Sequence, residues 1–152
     1  MRRRLLPVIV TVLAVVSCLW YLRDPAWLVT QTTGLRRWER SPEGVPFRWS
    51  GGHASFFVPS DAHSVRIPVA TTFDDRGAAP MVVTLTIDGA GAARLLLTDR
   101  AWQEVTLSMP PRGSRRVRRV DVRTSVTRED NHGVQLGELT VTHDGRAWRP
   151  CC

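Results

Sequence analysis

Met81-Val82-Val83-Thr84-Leu85-Thr86-Ile87-Asp88-Gly89 is the stretch that decides the fold. Val83, Leu85 and Ile87 alternate with Thr84 and Thr86, a period of two that sends one set of side chains into a core and the other toward water. Asp88-Gly89 suits the left-handed positions of a tight turn, so the run at 93–98 is predicted to return as the partner strand of a hairpin.

The same alternation recurs on either side of this hairpin. Val65, Ile67 and Val69 alternate with Arg66 and Pro68, and Val105 and Leu107 with Glu104 and Thr106. In 117–126, Val120, Val122, Thr124 and Val126 share one face, with Arg119, Asp121 and Arg123 on the other. The stretch 134–142 places Val134, Leu136, Leu139 and Val141 inward, and Gly137 marks a register shift or bulge. Phe47-Arg48-Trp49 opens a short strand, Gly51-Gly52 reads as a turn, and 54–59 is a further strand. Pro59 and Pro68 favour edge positions, because proline brings no N–H to a ladder. Residues 74–77 and 110–114 read as loops, and Asp144-Gly145 as a last hairpin turn before Ala147-Trp148. About seven or eight short strands at roughly 8–12-residue spacing indicate an all-β, antiparallel, jelly-roll-like β-sandwich.

The N-terminus is of another kind. Met1-Arg2-Arg3-Arg4 precedes an uncharged, mostly apolar run at 5–22, and Arg23-Asp24-Pro25 follows it. At helical rise that run covers about 27 Å, close to the roughly 30 Å hydrocarbon core of a bilayer. The expected division is therefore a membrane anchor or signal segment at 1–23, a connector at 24–44, a β-sandwich domain at 45–149 and a tail at 150–152. The arginine bias favours a cytoplasmic N-terminus and an extracytoplasmic domain. Three readings of the segment stand side by side. It is a retained single-pass signal anchor, a lipoprotein signal with lipid attached at Cys18 of Val15-Val16-Ser17-Cys18, or a cleaved secretory peptide.

Charge and cysteine content exclude several functions. The chain carries 21 basic residues, all arginine, against 14 acidic ones. Setting aside Arg2, Arg3, Arg4 and Arg23 leaves an excess of only +3, too small to mark a nucleic-acid binder. Cys18 lies in the apolar run, and Cys151 and Cys152 are adjacent, so no disulfide framework is expected. With no C-x-x-C and with His53, His63, His132 and His143 dispersed, no metal site and no cofactor are expected. No nucleophile elbow, phosphate loop or zinc-protease motif is present. Asp61-Ala62-His63 is an acid–base pair only on paper, since it falls in a turn.

Two stretches carry ligand-binding chemistry. Arg112-Gly113-Ser114-Arg115-Arg116-Val117-Arg118-Arg119 concentrates guanidinium groups, which grip phosphates and carboxylates bidentately; the competing reading is a solvated, edge-protecting charge run. Asp130-Asn131-His132-Gly133 offers hydrogen bonds to sugar hydroxyls, or simply makes a turn. The expected ligand surface is Arg115, Arg116, Arg118 and Arg119 with Asp130, Asn131 and His132. Trp38, Trp49, Trp102 and Trp148 are candidates equally for core and for an exposed platform.

Trp49-Ser50-Gly51, Ala54-Ser55-Phe56-Phe57-Val58-Pro59 and Trp102-Gln103-Glu104-Val105-Thr106-Leu107 also carry a resemblance. So does the arginine-rich strand followed by Asp130, Gly133-Val134 and Leu136-Gly137. Over 45–149 the chain resembles small jelly-roll, carbohydrate-binding-module-like domains of bacterial membrane-anchored envelope proteins of the uncharacterised, actinobacterial type. The resemblance implies a non-enzymatic, membrane-tethered extracytoplasmic binding module for an envelope glycan, an anionic polymer or a neighbouring envelope protein. Two other classes stay open: a structural or assembly partner without a small ligand, and an envelope hydrolase or transferase whose site carries no recognised motif.

Overall fold

A computed structural model describes residues 2–23, 25–71, 80–127, 129–143 and 146–148. A helix, α1 (Arg2–Arg23), is followed by a 3-10 turn (Ala26–Thr30) and then by β structure. The ten strands among the described residues are β1 (Thr32–Arg40), β2 (Pro46–Pro59), β3 (Ser64–Ala70), β4 (Met81–Ile87), β5 (Ala90–Leu97), β6 (Gln103–Ser108), β7 (Val117–Thr124), β8 (Gln135–Gly137), β9 (Thr140–His143) and β10 (Arg146–Trp148). Among the described residues no helix is long and apolar enough to cross a membrane. The loop at 74–77, the Asp144-Gly145 turn and the cysteine tail lie outside the described residues.

All pairings are antiparallel, in the order β10-β9-β3-β8-β2-β7-β4-β5, with β1 added to β2 and β6 to β3. Strand β2 is the element that turns this sheet into a sandwich. Its first part pairs with β8 (Phe47 opposite Gly137, Trp49 opposite Gln135), and its second part pairs with β7 (His53 opposite Arg123, Pro59 opposite Val117). The sheet curls along β2, and its two halves enclose one core. Phe56, Val58, Val83, Leu85, Ile87, Val120 and Val122 come from one half, and Val65, Ile67, Val69, Val105, Leu107, Leu136 and Val141 from the other. The period of two is thus realised on both sides of the core.

The hairpin stands where the sequence places it. Strand β4 covers Met81–Ile87, and Asp88 and Gly89 both have positive φ (50° and 85°), the turn geometry that matches strand twist. Three other expectations change. Gly51-Gly52 is not a turn but lies inside β2, because the loop at 130–133 packs closely over it; Asn131 Nδ2 would lie 3.1 Å from a Cβ at Gly51. Pro68 is not at an edge, since β3 has neighbours on both sides. It falls in the gap between the β9 pairing (Ser64 to Arg66) and the β8 pairing (Val69 and Ala70), where no ladder bond is lost. Part of the expected connector, Thr32–Arg40, forms β1 along β2, with register shifts between Thr33 and Leu35 and between Leu35 and Trp38. Those irregularities erase the period of two from its sequence.

Candidate functional site

Phe47 and Trp49 stand two residues apart on β2, so they share the outer face of the sheet, opposite the core. Gly137 lies across from Phe47 on β8, and its missing side chain leaves room for Pro68, whose Cβ is 2.9 Å from the place a Cβ would take; Trp102 Cζ3 lies beside it at 3.5 Å, an ordinary contact. A continuous aromatic strip results. Phe47 and Trp49 meet edge to face at 5.8 Å between ring centroids, Phe47 and Trp102 meet at 6.4 Å, and Trp49 and His132 at 4.9 Å. Phe47 forms the base at 5% exposure, while Trp49, Trp102 and His132 are half-buried and reach the surface.

Polar groups border the strip. Gln135 lies opposite Trp49 on β8 and is 9% exposed, which brings its carboxamide beside the indole. Arg66 and Glu104 sit on the same outer face and pair at 3.6 Å. The loop that delivers His132 is pinned to β2. Gly133 N–H donates to Ser50 O (2.7 Å), Ser50 N–H to Val134 O (2.8 Å), and the buried Ser50 hydroxyl accepts from Val134 N–H (2.9 Å). Asp130 and Asn131 take positive φ (64° and 58°), and Asn131 Oδ1 accepts a bond from Gly52 N–H at 3.3 Å. Asn131 and Asp130 therefore shape the loop, and His132 is the member that reaches the aromatic strip.

The arginine cluster divides into two groups. Arg118 donates to Asp88 Oδ2 at 2.8 Å, and Asp88 Oδ1 accepts from Arg119 N–H at 2.9 Å, so these bonds tie the β4–β5 turn to β7. The Arg119 side chain pairs with Asp121 at 3.0 Å. Arg115 and Arg116 are exposed on the approach to β7, beside the end of α1, where Arg115 Nη2 lies 3.5 Å from Arg23 O. The residues nominated from the sequence thus occupy separate places: the turn of β4–β5, the end of α1 and the loop over β2.

Asp121, assigned from its pattern to the wetter face, is only 3% exposed. It does face away from the core, where Ser55 Oγ donates to its Oδ1 at 2.6 Å, His53 Nε2 lies 3.2 Å away and Arg119 Nε donates to Oδ2 at 3.0 Å. Serine, histidine and aspartate meet here, but not as a proton relay. Ser55 bonds the carboxylate directly, and the same His53 nitrogen faces both partners, with Ser55 Oγ at 3.5 Å. A relay needs the imidazole between the two, one nitrogen on each. Burial raises the Asp121 pKa, but the bonds from Ser55 and His53 and the charge of Arg119 outweigh it and hold the carboxyl below its ordinary value.

This depression has a measurable consequence. The stabilisation is fully present above the ordinary aspartate value of about 3.9 and disappears as pH falls through the lower, folded value. Denaturant titrations between about pH 5 and pH 2 are expected to show the wild type losing stability on acidification, and Asp121→Asn losing distinctly less. Equal slopes would contradict this assignment.

Asp61 lies 3.6 Å from His143. Trp38 is 48% exposed and lies on the inner side of β1, with the Arg48 guanidinium 5.6 Å from its ring centroid. Among the described residues no three His, Cys, Asp or Glu side chains gather to hold a metal ion.

No protein-family model and no curated protein matches this chain. Solved structures with a similar chain path do exist. One is a family two carbohydrate esterase from Clostridium thermocellum in complex with cellohexaose, at 12% identity over 80% of this chain and 34% of that one, with a TM-score of 0.48. A second is a family 35 carbohydrate binding module from an environmental isolate, at 12% identity over 78% of this chain and 93% of that one, TM-score 0.49. A third is CsCBM6-3 from Clostridium stercorarium in complex with cellobiose, at 11% identity over 75% of this chain and 87% of that one, TM-score 0.42. The chain spans about a third of the esterase's length and most of each module's.

Proposed function

We propose that this chain is a non-enzymatic, glycan-binding β-sandwich held on the outer side of a membrane by its N-terminal helix. The observation that carries the glycan reading is the outer aromatic strip of Phe47, Trp49, Trp102 and His132, with Gln135 and the Arg66–Glu104 pair at its border. A pyranose ring has apolar C–H faces and a polar equatorial rim. Half-buried indoles match the faces, while a carboxamide, an imidazole and an ion pair match the hydroxyls.

The tether rests on separate observations. The described apolar side chains of α1 are all exposed. The sequence extends this apolar run to Leu5 and Leu22, a stretch that covers about 27 Å at helical rise, with arginines at both of its ends. Three arginines on one side set the direction, with the sandwich outside the cytoplasm. A lipid-modified Cys18 would reach the same compartment by another route.

The test uses the full chain in detergent micelles on an array of bacterial-envelope and plant-cell-wall oligosaccharides. Retention of at least one glycan class is expected, and Trp49→Ala or Trp102→Ala should each weaken it by about tenfold or more, as truncation of a central aromatic contact does. Retention of no glycan at all would overturn the binding reading. Extraction of the chain from membranes by carbonate would overturn the tether.

A further inference from the structure

We infer that the junction between the last turns of α1 and the loop before β7 is a binding site for the phosphodiester headgroup of an anionic lipid. The concavity there has a volume of about 550 Å³, and its walls are of two kinds. Trp20 and Tyr21 from the helix provide an apolar and aromatic side. Arg23, Arg112, Arg115 and Arg116 provide a cationic one, and none of the residues that line the hollow is acidic. Asp24 follows in the sequence and leaves the four arginines in clear excess.

The junction is built, not a chance approach of two charged segments. Arg23 Nη2 donates to Ser114 Oγ at 3.2 Å, and Arg115 Nη2 donates to Arg23 O at 3.5 Å, which places a cation on the C-terminal carbonyl end of the helix. These bonds hold the loop against α1 with Trp20 and Tyr21 turned to the same hollow. Tryptophan and tyrosine collect at the level of lipid headgroups, because their rings are apolar and their N–H and O–H groups are wet. Guanidinium groups at that level meet phosphate oxygens in a matching bidentate geometry. An amphipathic hollow with arginines on one wall and interfacial aromatics on the other therefore fits the part of a lipid where headgroup meets glycerol. It would also fix the tilt of the sandwich on its helix, and so the direction in which the aromatic strip faces.

This site deepens the proposed tether and rests on it. The experiment reconstitutes the full chain into nanodiscs of phosphatidylcholine with a minor share of phosphatidylglycerol, then measures the lipids retained on release into the gas phase by native mass spectrometry. The wild type should retain phosphatidylglycerol over phosphatidylcholine by roughly tenfold relative to the nanodisc composition. The triple variant Arg112→Gln/Arg115→Gln/Arg116→Gln should retain the two in proportion to that composition while still inserting into the nanodiscs. No preference in the wild type, or an equal preference in the variant, would overturn the site. Loss of the preference on addition of millimolar inorganic phosphate, with phosphate itself retained, would assign the hollow to the free anion and overturn the lipid. Failure of the chain to insert into nanodiscs at all would instead count against the tether, so the two claims fail separately.

Discussion

Gly133→Ala is expected to lower stability by about 3 kcal/mol or more, at the upper end of what overpacking costs. A Cβ at this position would be driven into the Gly51 carbonyl, and would stand 2.7 Å from the buried Ser50 Oγ and 3.1 Å from Thr124 Oγ1. The first obstacle is backbone in the middle of β2, so it has no rotamer into which to retreat. Relief requires the 130–133 loop to lift from β2. That breaks the bonds Gly133 N–H to Ser50 O and Ser50 N–H to Val134 O, and leaves buried polar groups unpaired. His132 would leave Trp49 with the same movement. Thermal unfolding should show a midpoint lower by roughly 10 °C or more for a domain of this size, and any glycan retention should fall with it. A melting curve superimposable on that of the wild type would contradict the described contact between loop and strand.

Leu85→Ala is the second large effect, expected at about 2–5 kcal/mol. Leu85 is 0% exposed in the middle of β4, opposite Ala93 of β5 and Val122 of β7, and its side chain points at the other half of the sheet. Removing it withdraws apolar atoms from the core and leaves a cavity that two hydrogen-bonded neighbours hold open, since the strand cannot collapse inward without breaking both ladders. Thr84→Ala, one residue away on the outer face, should change stability by about 0.5 kcal/mol or less. The contrast, read from denaturant midpoints, checks the alternation on which the core assignment depends.

That alternation was the most legible part of the chain. Val83, Leu85 and Ile87 on β4 and Val65, Ile67 and Val69 on β3 point inward as their spacing requires, because each strand has one face in a continuous core. What escaped the sequence depends on pairs of residues far apart along it. Gly51-Gly52 has the composition of a turn, yet the loop at 130–133 uses the absent side chains for close approach, and the strand runs on. Strand β1 is broken by two register shifts, so its stretch shows no period of two and reads as part of the connector. Asp121 alternates like a surface residue, and only the register with Ser55 shows why a carboxylate is buried there.

The candidate site was legible in part for the same reason. His132 could be nominated from its loop, and Trp49 and Trp102 as aromatic candidates. Their meeting through Phe47 joins side chains more than fifty residues apart in the chain, a fact absent from local spacing. Arg118 and Arg119 belong to the charge run by sequence, whereas the fold pairs Arg118 with Asp88 of the β4–β5 turn and Arg119 with Asp121, two residues along β7.

Indole N–H resonances give the most direct test of the outer aromatic strip. With the full chain in micelles, the six tryptophan signals can be assigned by single Trp→Phe replacements and followed while a glycan retained on the array is added. The account predicts saturable shifts at Trp49 and Trp102, with Trp20 and Trp27 unmoved. Shifts confined to Trp38, on the inner side of the sheet, or no saturable shift at either Trp49 or Trp102, would contradict it.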